Sequence, residues 1–258
     1  MRIGFFDSGI GGITVLNEAL KILPYEEYLY YADTLNVPYG SKDKAQVKNY
    51  IFEAVDFIFQ SNIDILVIAC NTATSIAIKD LRKKYKIPII GMEPALKPAL
   101  EKCGNKRVLV SATPLTLAED KYENLVSKLN ADNIVDSVAL PELVELAENY
   151  EFDEKVIKPY LLEKLSGYNI DLYGTFVLGC THFIYYKKIF SDILPKNMDI
   201  IDGNRGTVNH MLSFLKKDND KYFRSKRSLS GDYKYNIDFY TSSKAADSQL
   251  FYKYFNVL

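Results

Sequence analysis

Short runs of apolar, β-branched and aromatic residues alternate along this chain with longer stretches in which apolar positions recur every three or four residues. The runs are RIGFF, EYLYYAD, DILVIA, IPIIG, RVLVSA, IVDSVAL, LYGTFVLG, DIIDG and DFYTS, each of strand length and rich in side chains that fit a pleated surface. Between them, residues 43–60 (DKAQVKNYIFEAVDFIFQ) set Val47, Ile51, Val55 and Ile58 on one helical face. Residues 115–129 (LTLAEDKYENLVSKL) repeat the pattern with Leu117, Tyr122, Leu125 and Leu129, and a single helix is predicted there. This rhythm is that of βαβ units, so the expected class is α/β with mostly parallel sheets. The runs are apolar throughout, as strands are when helices cover both faces.

In open parallel sheets, ligands lie beyond the carboxyl ends of the strands. There this chain carries Asp7-Ser8-Gly9, Asp33 with the loop NVPYGS, Cys70-Asn71-Thr72, Thr113, and Cys180-Thr181-His182. The stretches VIACNTAT (67–74) and VLGCTHF (177–183) each end an apolar run in cysteine followed by hydroxyl-bearing residues. That repetition predicts two topologically related halves.

Composition narrows the function. With 32 basic and 33 acidic residues and a net charge of −1, the chain has no overall field to draw nucleic acid or an anionic membrane surface. No run approaches the roughly 18 apolar residues of a membrane span, and the N-terminus MRIGFFDSGIGG lacks the pattern of a secretory leader. A cytoplasmic location is expected, with no membrane partner. Three cysteines without C-x-x-C spacing argue against a zinc cage, a thioredoxin-type motif or a disulfide framework, leaving free thiols and no metal site. The GxGG of the first loop is not a dinucleotide fingerprint, so no nicotinamide cofactor is inferred. Residues 216–236, polar and basic with interleaved acids, read as a solvated loop rather than a nucleic-acid patch.

A thiol works as thiolate, and a helix N-terminus or a neighbouring histidine lowers its pKa. Strand, cysteine, helix is the predicted order at both Cys70 and Cys180, and His182 stands two residues beyond the latter. An isolated buried cysteine is usually a small hydrophobe, and Cys103, at a probable helix end in ALEKCGNKR, is read that way. Two thiols facing one substrate fit a particular chemistry. One removes a proton from a carbon and the other returns one on the opposite face, inverting the centre. A Cys–His hydrolase would leave the second cysteine without a task. Asp7 fits as a proton relay or equally as a turn or cap residue before the helix ITVLNEALKIL.

At this level of detail the chain resembles the glutamate racemases of the aspartate/glutamate racemase superfamily. The resemblance runs nearly end to end, through FFDSGIGGITVL, YYADTLNVPYGSK, IACNTAT, GMEPALKPA, LGCTHF and IIDGNRGT. It implies a cofactor-independent enzyme that interconverts L- and D-glutamate for peptidoglycan synthesis, built as two pseudosymmetric α/β domains with the active site between them. By the same likeness, Cys70 and Cys180 are the two bases, Asp7 assists the first, His182 assists the second, and Glu148 occupies the position of the family's assisting carboxylate. Ser8, the loop Pro38-Tyr39-Gly40-Ser41, Asn71, Thr72, Thr74, Thr113, Thr116 and Thr181 bind substrate. Domain one is expected at residues 1–93 and 206–258 and domain two at 94–205, with IIDGNRGT as the return crossing and Asn204 as a cap of the next helix. A homodimer is implied, since it is common in the family. The family's usual A-C-P motif reads ALPELVELAE here, so Leu140 and Glu145 stand in place of Cys and Pro; Glu142 and Glu145 rival Glu148, and a solvated helix face is the plain alternative for all three. FIYY at 183–186 also departs from the usual continuation and alters the packing expected beneath His182. No extension precedes the first strand, so activation by a peptidoglycan precursor is not expected. The competing readings are a racemase of aspartate or another acidic amino acid, a single-thiol decarboxylase or hydrolase, and an inactive amino-acid-binding protein.

Overall fold

The computed structural model describes residues 1–215, 235–242, 244–246 and 248–258. Its strands are β1 (Arg2–Asp7), β2 (Glu27–Ala32), β3 (Ile65–Ile68), β4 (Ile89–Gly91), β5 (Arg107–Ala112), β6 (Val135–Ala139), β7 (Tyr173–Leu178), β8 (Asp199–Asp202), β9 (Asn236–Thr241) and β10 (Lys244–Ala245). Every apolar run named above forms a strand. The helices are α1 (Ile13–Ile22), α2 (Lys44–Phe59), α3 (Asn71–Lys84), α4 (Leu96–Lys102), α5 (Pro114–Leu117), α6 (Asp120–Lys128), α7 (Glu142–Glu148), α8 (Glu154–Leu165), α9 (Lys187–Ile193), α10 (Asn204–Leu215) and α11 (Ser248–Phe255). Among the described residues, none of these helices is long and apolar enough to cross a membrane.

Two sheets result, ordered β10-β9-β2-β1-β3-β4 and β6-β5-β7-β8. All pairings are parallel except β9 with β10. The order β2-β1-β3-β4 of the first sheet recurs as β6-β5-β7-β8 in the second. The ends of β3 and β7, where Cys70 and Cys180 emerge, are therefore equivalent positions in two halves of one plan.

Successive strand residues point to opposite faces, and both faces are buried. Ile3, Phe5, Tyr28, Tyr30, Ile65 and Val67 join one apolar cluster, which continues into Leu109, Phe176 and Leu178 of the second sheet. Phe6, Leu29, Tyr31, Leu66 and Ile68 face a second cluster with Val47, Ile51, Val55 and Ile58 of α2, the face the periodicity predicted. Val108, Val110 and Val177 turn to a third cluster with Leu96 and Tyr122.

The structure corrects the sequence reading in three places. The single helix predicted over residues 115–129 is broken into α5 and α6, with Glu119 extended between them. Tertiary contacts outweigh propensity there: Thr113 and Thr116 are turned toward Thr72 of α3, while the buried Glu119 carboxylate pairs with Lys44 of α2 at 2.8 Å. After Cys180 the chain winds as a 3-10 helix over Thr181–Tyr186 rather than an α-helix, the three-residue repeat turning both His182 and Tyr185 onto the 7–12 loop. Asn204 is the first residue of α10, and its N–H is capped by the Asp202 carboxylate at 3.1 Å. The segment 216–236, read as a solvated loop, lies outside the described residues up to position 234.

The α2 interface yields a direct test. Ile51→Ala is expected to cost about 2–5 kcal/mol in urea unfolding because it opens a cavity under the sheet, whereas Asn49→Ala on the exposed face of the same helix should stay within about 0.5 kcal/mol. Similar costs at the two positions would contradict the assigned face.

Candidate active site

The first strand ends in Asp7, fully buried, whose Oδ1 accepts the Gly9 N–H at 3.0 Å. Of the two local roles open to it, Asp7 takes the turn role; the N-cap of α1 is Gly12. Burial raises its pKa to about 6, against the opposing charge of His182 and the Gly9 N–H. Beside it, Cys70 ends the segment after β3 and caps α3, its Sγ accepting the Ala73 N–H at 3.4 Å. Its thiol donates to Ser8 Oγ at 3.6 Å. Burial first, and the nearby Asp7 carboxylate second, push this thiol up to about 12, although the Ala73 N–H and Ser8 pull the other way. The helix terminus thus fails to prime Cys70 by itself, since the desolvation of an anionic sulfur is the larger effect.

Across from it, Cys180 Sγ lies 3.7 Å from His182 Nδ1. His182 Nε2 lies 2.6 Å from Glu148 Oε1, which also accepts the Ile10 N–H at 2.8 Å. Burial alone would lower the His182 pKa, but hydrogen bonds and charge from Cys180 and Glu148 overcome it and raise it well above the ordinary value. Of the three acidic residues of α7, Glu148 is the one that reaches this histidine. Glu142 accepts from Tyr160 at 2.6 Å and Lys164 at 3.2 Å, and Glu145 is exposed.

The two thiol neighbourhoods meet. Thr181 Oγ1 donates to Asp7 Oδ2 at 3.2 Å and lies 3.5 Å from His182 Nδ1, so the Asp7 side, where the next residue Ser8 accepts from Cys70, is bonded directly to the His182–Cys180 side. The sulfurs are within electrostatic reach, for Cys180 contributes to raising the Cys70 thiol. Both are buried, at 6 % and 7 % exposure. So close an approach of the 7–12 loop needs glycine: a Cβ on Gly9 would overlap the Glu148 carboxylate, and one on Gly11 would lie 2.6 Å from His182 Nδ1.

The remaining candidates divide. Thr72, Thr113 and Thr116 form a triangle of hydroxyls, each pair 2.9 Å apart. Asn71, 4 % exposed, has neither end of its side-chain amide satisfied, an arrangement that costs stability unless a ligand completes it. Thr74 instead serves the fold, accepting the Met92 N–H at 3.1 Å and donating to the Ile68 carbonyl at 3.3 Å. In the 38–41 loop, Gly40 packs against Thr113, Tyr39 donates to Asp33 at 2.6 Å, Pro38 is half-buried with its carbonyl accepting from Lys42, and Ser41 is exposed. Two hydroxyls absent from the sequence reading also hold the site: Tyr30 donates to the Gly9 carbonyl at 2.7 Å and Tyr185 to that of Ile10 at 3.1 Å. Tyr30 carries no local signal, being one aromatic of a strand; Tyr185 lies in the divergent FIYY. Among the described residues, no cluster of histidine, cysteine and acidic side chains is arranged to hold a metal ion.

Comparison with known proteins places this geometry in a lineage. A glutamate racemase of Halothermothrix orenii is 57 % identical over 258 residues, covering 100 % of this chain and 99 % of that protein. A crystal structure of a glutamate racemase isoform from Bacillus anthracis superposes with a TM-score of 0.82 at 26 % identity, over 99 % of this chain and 94 % of that one. A Francisella tularensis glutamate racemase in complex with D-glutamate matches with a TM-score of 0.79 at 26 % identity, over 93 % and 87 % of the two chains. The family model for Asp/Glu/hydantoin racemases matches residues 16–211, and the chain belongs to that family.

Proposed function

We propose that this protein interconverts L- and D-glutamate without a cofactor, using Cys70 and Cys180 as its two bases. The observation that carries the reading is the pair of buried thiols at topologically equivalent strand ends, their neighbourhoods joined by the Thr181–Asp7 hydrogen bond. Glutamate is the substrate of the racemases this chain resembles, one of them in complex with D-glutamate. In one direction a thiolate removes the α-proton, and the C–H electron pair stays on the α-carbon and spreads into the adjoining carboxylate. The opposite thiol then delivers its proton to the other face and becomes the thiolate. Asp7 receives and returns the Cys70 proton, and His182, steadied by Glu148, does so for Cys180. The Asn71 amide and the hydroxyls of Ser8, Thr72, Thr113, Thr116 and Thr181 supply donors and acceptors for a zwitterion. Thr74 and the loop of Pro38, Tyr39, Gly40 and Ser41 support that wall from behind.

Because both sulfurs are buried, substrate entry requires the halves to part. The moving units in this reading are residues 1–93 with 206–258 against 94–205, and the Lys44–Glu119 ion pair and the Gly40–Thr113 contact are what open. The D-glutamate product serves peptidoglycan assembly in the cytoplasm, and the enzyme works as a homodimer.

The two-base scheme is tested by replacing each thiol alone. Cys70→Ser and Cys180→Ser should each lower racemisation by about 10²–10⁴-fold, while solvent deuterium exchange at the α-carbon persists with one enantiomer in one variant and with its mirror image in the other. A single variant that keeps full racemisation would favour the one-thiol alternatives. Circular dichroism across glutamate and aspartate should show turnover of glutamate first.

Asp7 links activity to stability. Its folded-state pKa near 6 exceeds the ordinary 3.8, so the folded chain holds this proton more tightly than the unfolded chain. The carboxyl costs nothing below about pH 4, where both states are protonated, and its ionisation becomes progressively more destabilising as the pH rises to about 6. Asp7→Asn should therefore gain about 1–3 kcal/mol over the parent at about pH 8, lose that gain at about pH 4, and racemise at least tenfold more slowly. Denaturant midpoints at the two pH values, with a rate assay, decide the matter.

A further inference from the structure

In a 3-10 helix, residues three apart eclipse one another. Within Thr181–Tyr186, this puts Tyr185 on the same face as His182, and both side chains meet the 7–12 loop. The Tyr185 hydroxyl donates to the Ile10 carbonyl at 3.1 Å, while the N–H of Ile10 donates to Glu148 Oε1 at 2.8 Å. The peptide groups on either side of Ile10 are thus pinned, one by Tyr185 and one by the carboxylate that holds His182. A second tyrosine reaches Glu148 from the first half of the molecule. Tyr254 of α11 donates to the Glu148 backbone carbonyl at 3.0 Å. The Tyr185 and Tyr254 rings lie 6.0 Å apart and share Phe152 as a neighbour. Both tyrosines are buried, so each hydroxyl needs an acceptor. The acceptors they have are the carbonyl of Ile10, the residue whose N–H holds the Glu148 carboxylate, and the carbonyl of Glu148 itself.

We propose that Tyr185 and Tyr254 are positioning residues that hold the Glu148 carboxylate on His182 and thereby govern proton transfer at Cys180 but not at Cys70. This rests on the two-thiol reading above. Neither tyrosine touches the reacting atoms in this scheme; each acts through Glu148. A carboxylate free to swing would leave the imidazolium less stabilised whenever Cys180 gives up its proton, and the Cys180 half of the reaction alone would slow.

The rate by itself cannot reveal this, because the equilibrium between enantiomers ties kcat/KM in one direction to kcat/KM in the other. The primary deuterium isotope effect can. When Cys180 is the base that removes the α-hydrogen, a slower Cys180 step makes C–H cleavage more limiting and the isotope effect rises. From the other enantiomer, Cys180 is the acid that traps the carbanion; slower trapping lets the carbanion return, and the isotope effect falls.

Tyr185→Phe and Tyr254→Phe, each in the full chain, remove one hydroxyl and keep the ring. Each should lower kcat by about five- to thirtyfold, leave KM within about twofold, and move the isotope effects measured with α-deuterated D- and L-glutamate in opposite directions. These effects are ratios within one preparation, so a reduced folded fraction does not alter them, and if one variant fails to accumulate, the other carries the test. Unchanged isotope effects in both directions, with or without a loss of rate, would overturn the positioning role for that tyrosine. Cys180→Ser assayed alongside separates the two claims: if it still racemises, the two-thiol reading falls and takes this proposal with it. If it is inactive while the tyrosine variants show parental isotope effects, only the positioning role falls.

Discussion

One hydrogen bond between the two halves organises this site: Thr181 donates to the buried Asp7 carboxylate. The donor follows β7 and the acceptor ends β1, so the bond joins the sheets at the place where Cys70 and Cys180 emerge. A carboxylate with no solvent exposure is costly unless its oxygens are occupied. Here one oxygen takes the Gly9 N–H and the other the Thr181 hydroxyl. The loop between them has to lie flat against Glu148, Thr181 and His182, and Gly9 and Gly11 leave room for it.

The pseudosymmetry of the fold does not extend to electrostatics. Cys70 sits at an α-helix terminus beside an acid, in surroundings that hold the proton on sulfur. Cys180 sits before a 3-10 segment beside a histidine backed by a carboxylate, a pair that welcomes a proton. The proton is held on Cys70 by burial and the Asp7 charge, whereas at the other position it is His182 that takes one up, drawn by Cys180 and Glu148. The strand order supplied two equivalent positions; the side chains around them made the positions unlike.

Stability and chemistry compete at the same residues. Asp7 is ionised at neutral pH in a place that disfavours its charge, and Asn71 is buried with both ends of its amide unsatisfied. The apolar cluster that continues from the first sheet into the second offsets these costs. Polar groups held this way are pre-organised for a ligand that brings the missing partners.

Much of this was legible in the sequence, and the parts that were not share a physical cause. The apolar runs determined the strands, and Val47, Ile51, Val55 and Ile58 determined which face of α2 is buried, because hydrophobic burial acts on periodicities a single segment already contains. The position of Asp7 at a strand end, and of Cys70, Cys180 and His182 just past one, was equally a local property. Only the tertiary structure decided that residues 115–129 break at Glu119, that the chain after Cys180 winds as a 3-10 helix, and that Glu148 rather than Glu142 or Glu145 meets His182. Each of those outcomes depends on what another segment brings to the same spot: Lys44 to Glu119, the 7–12 loop to Tyr185, and His182 itself to α7. Spacing along a chain records what a residue's own element requires, and it carries no record of the partner that arrives from elsewhere.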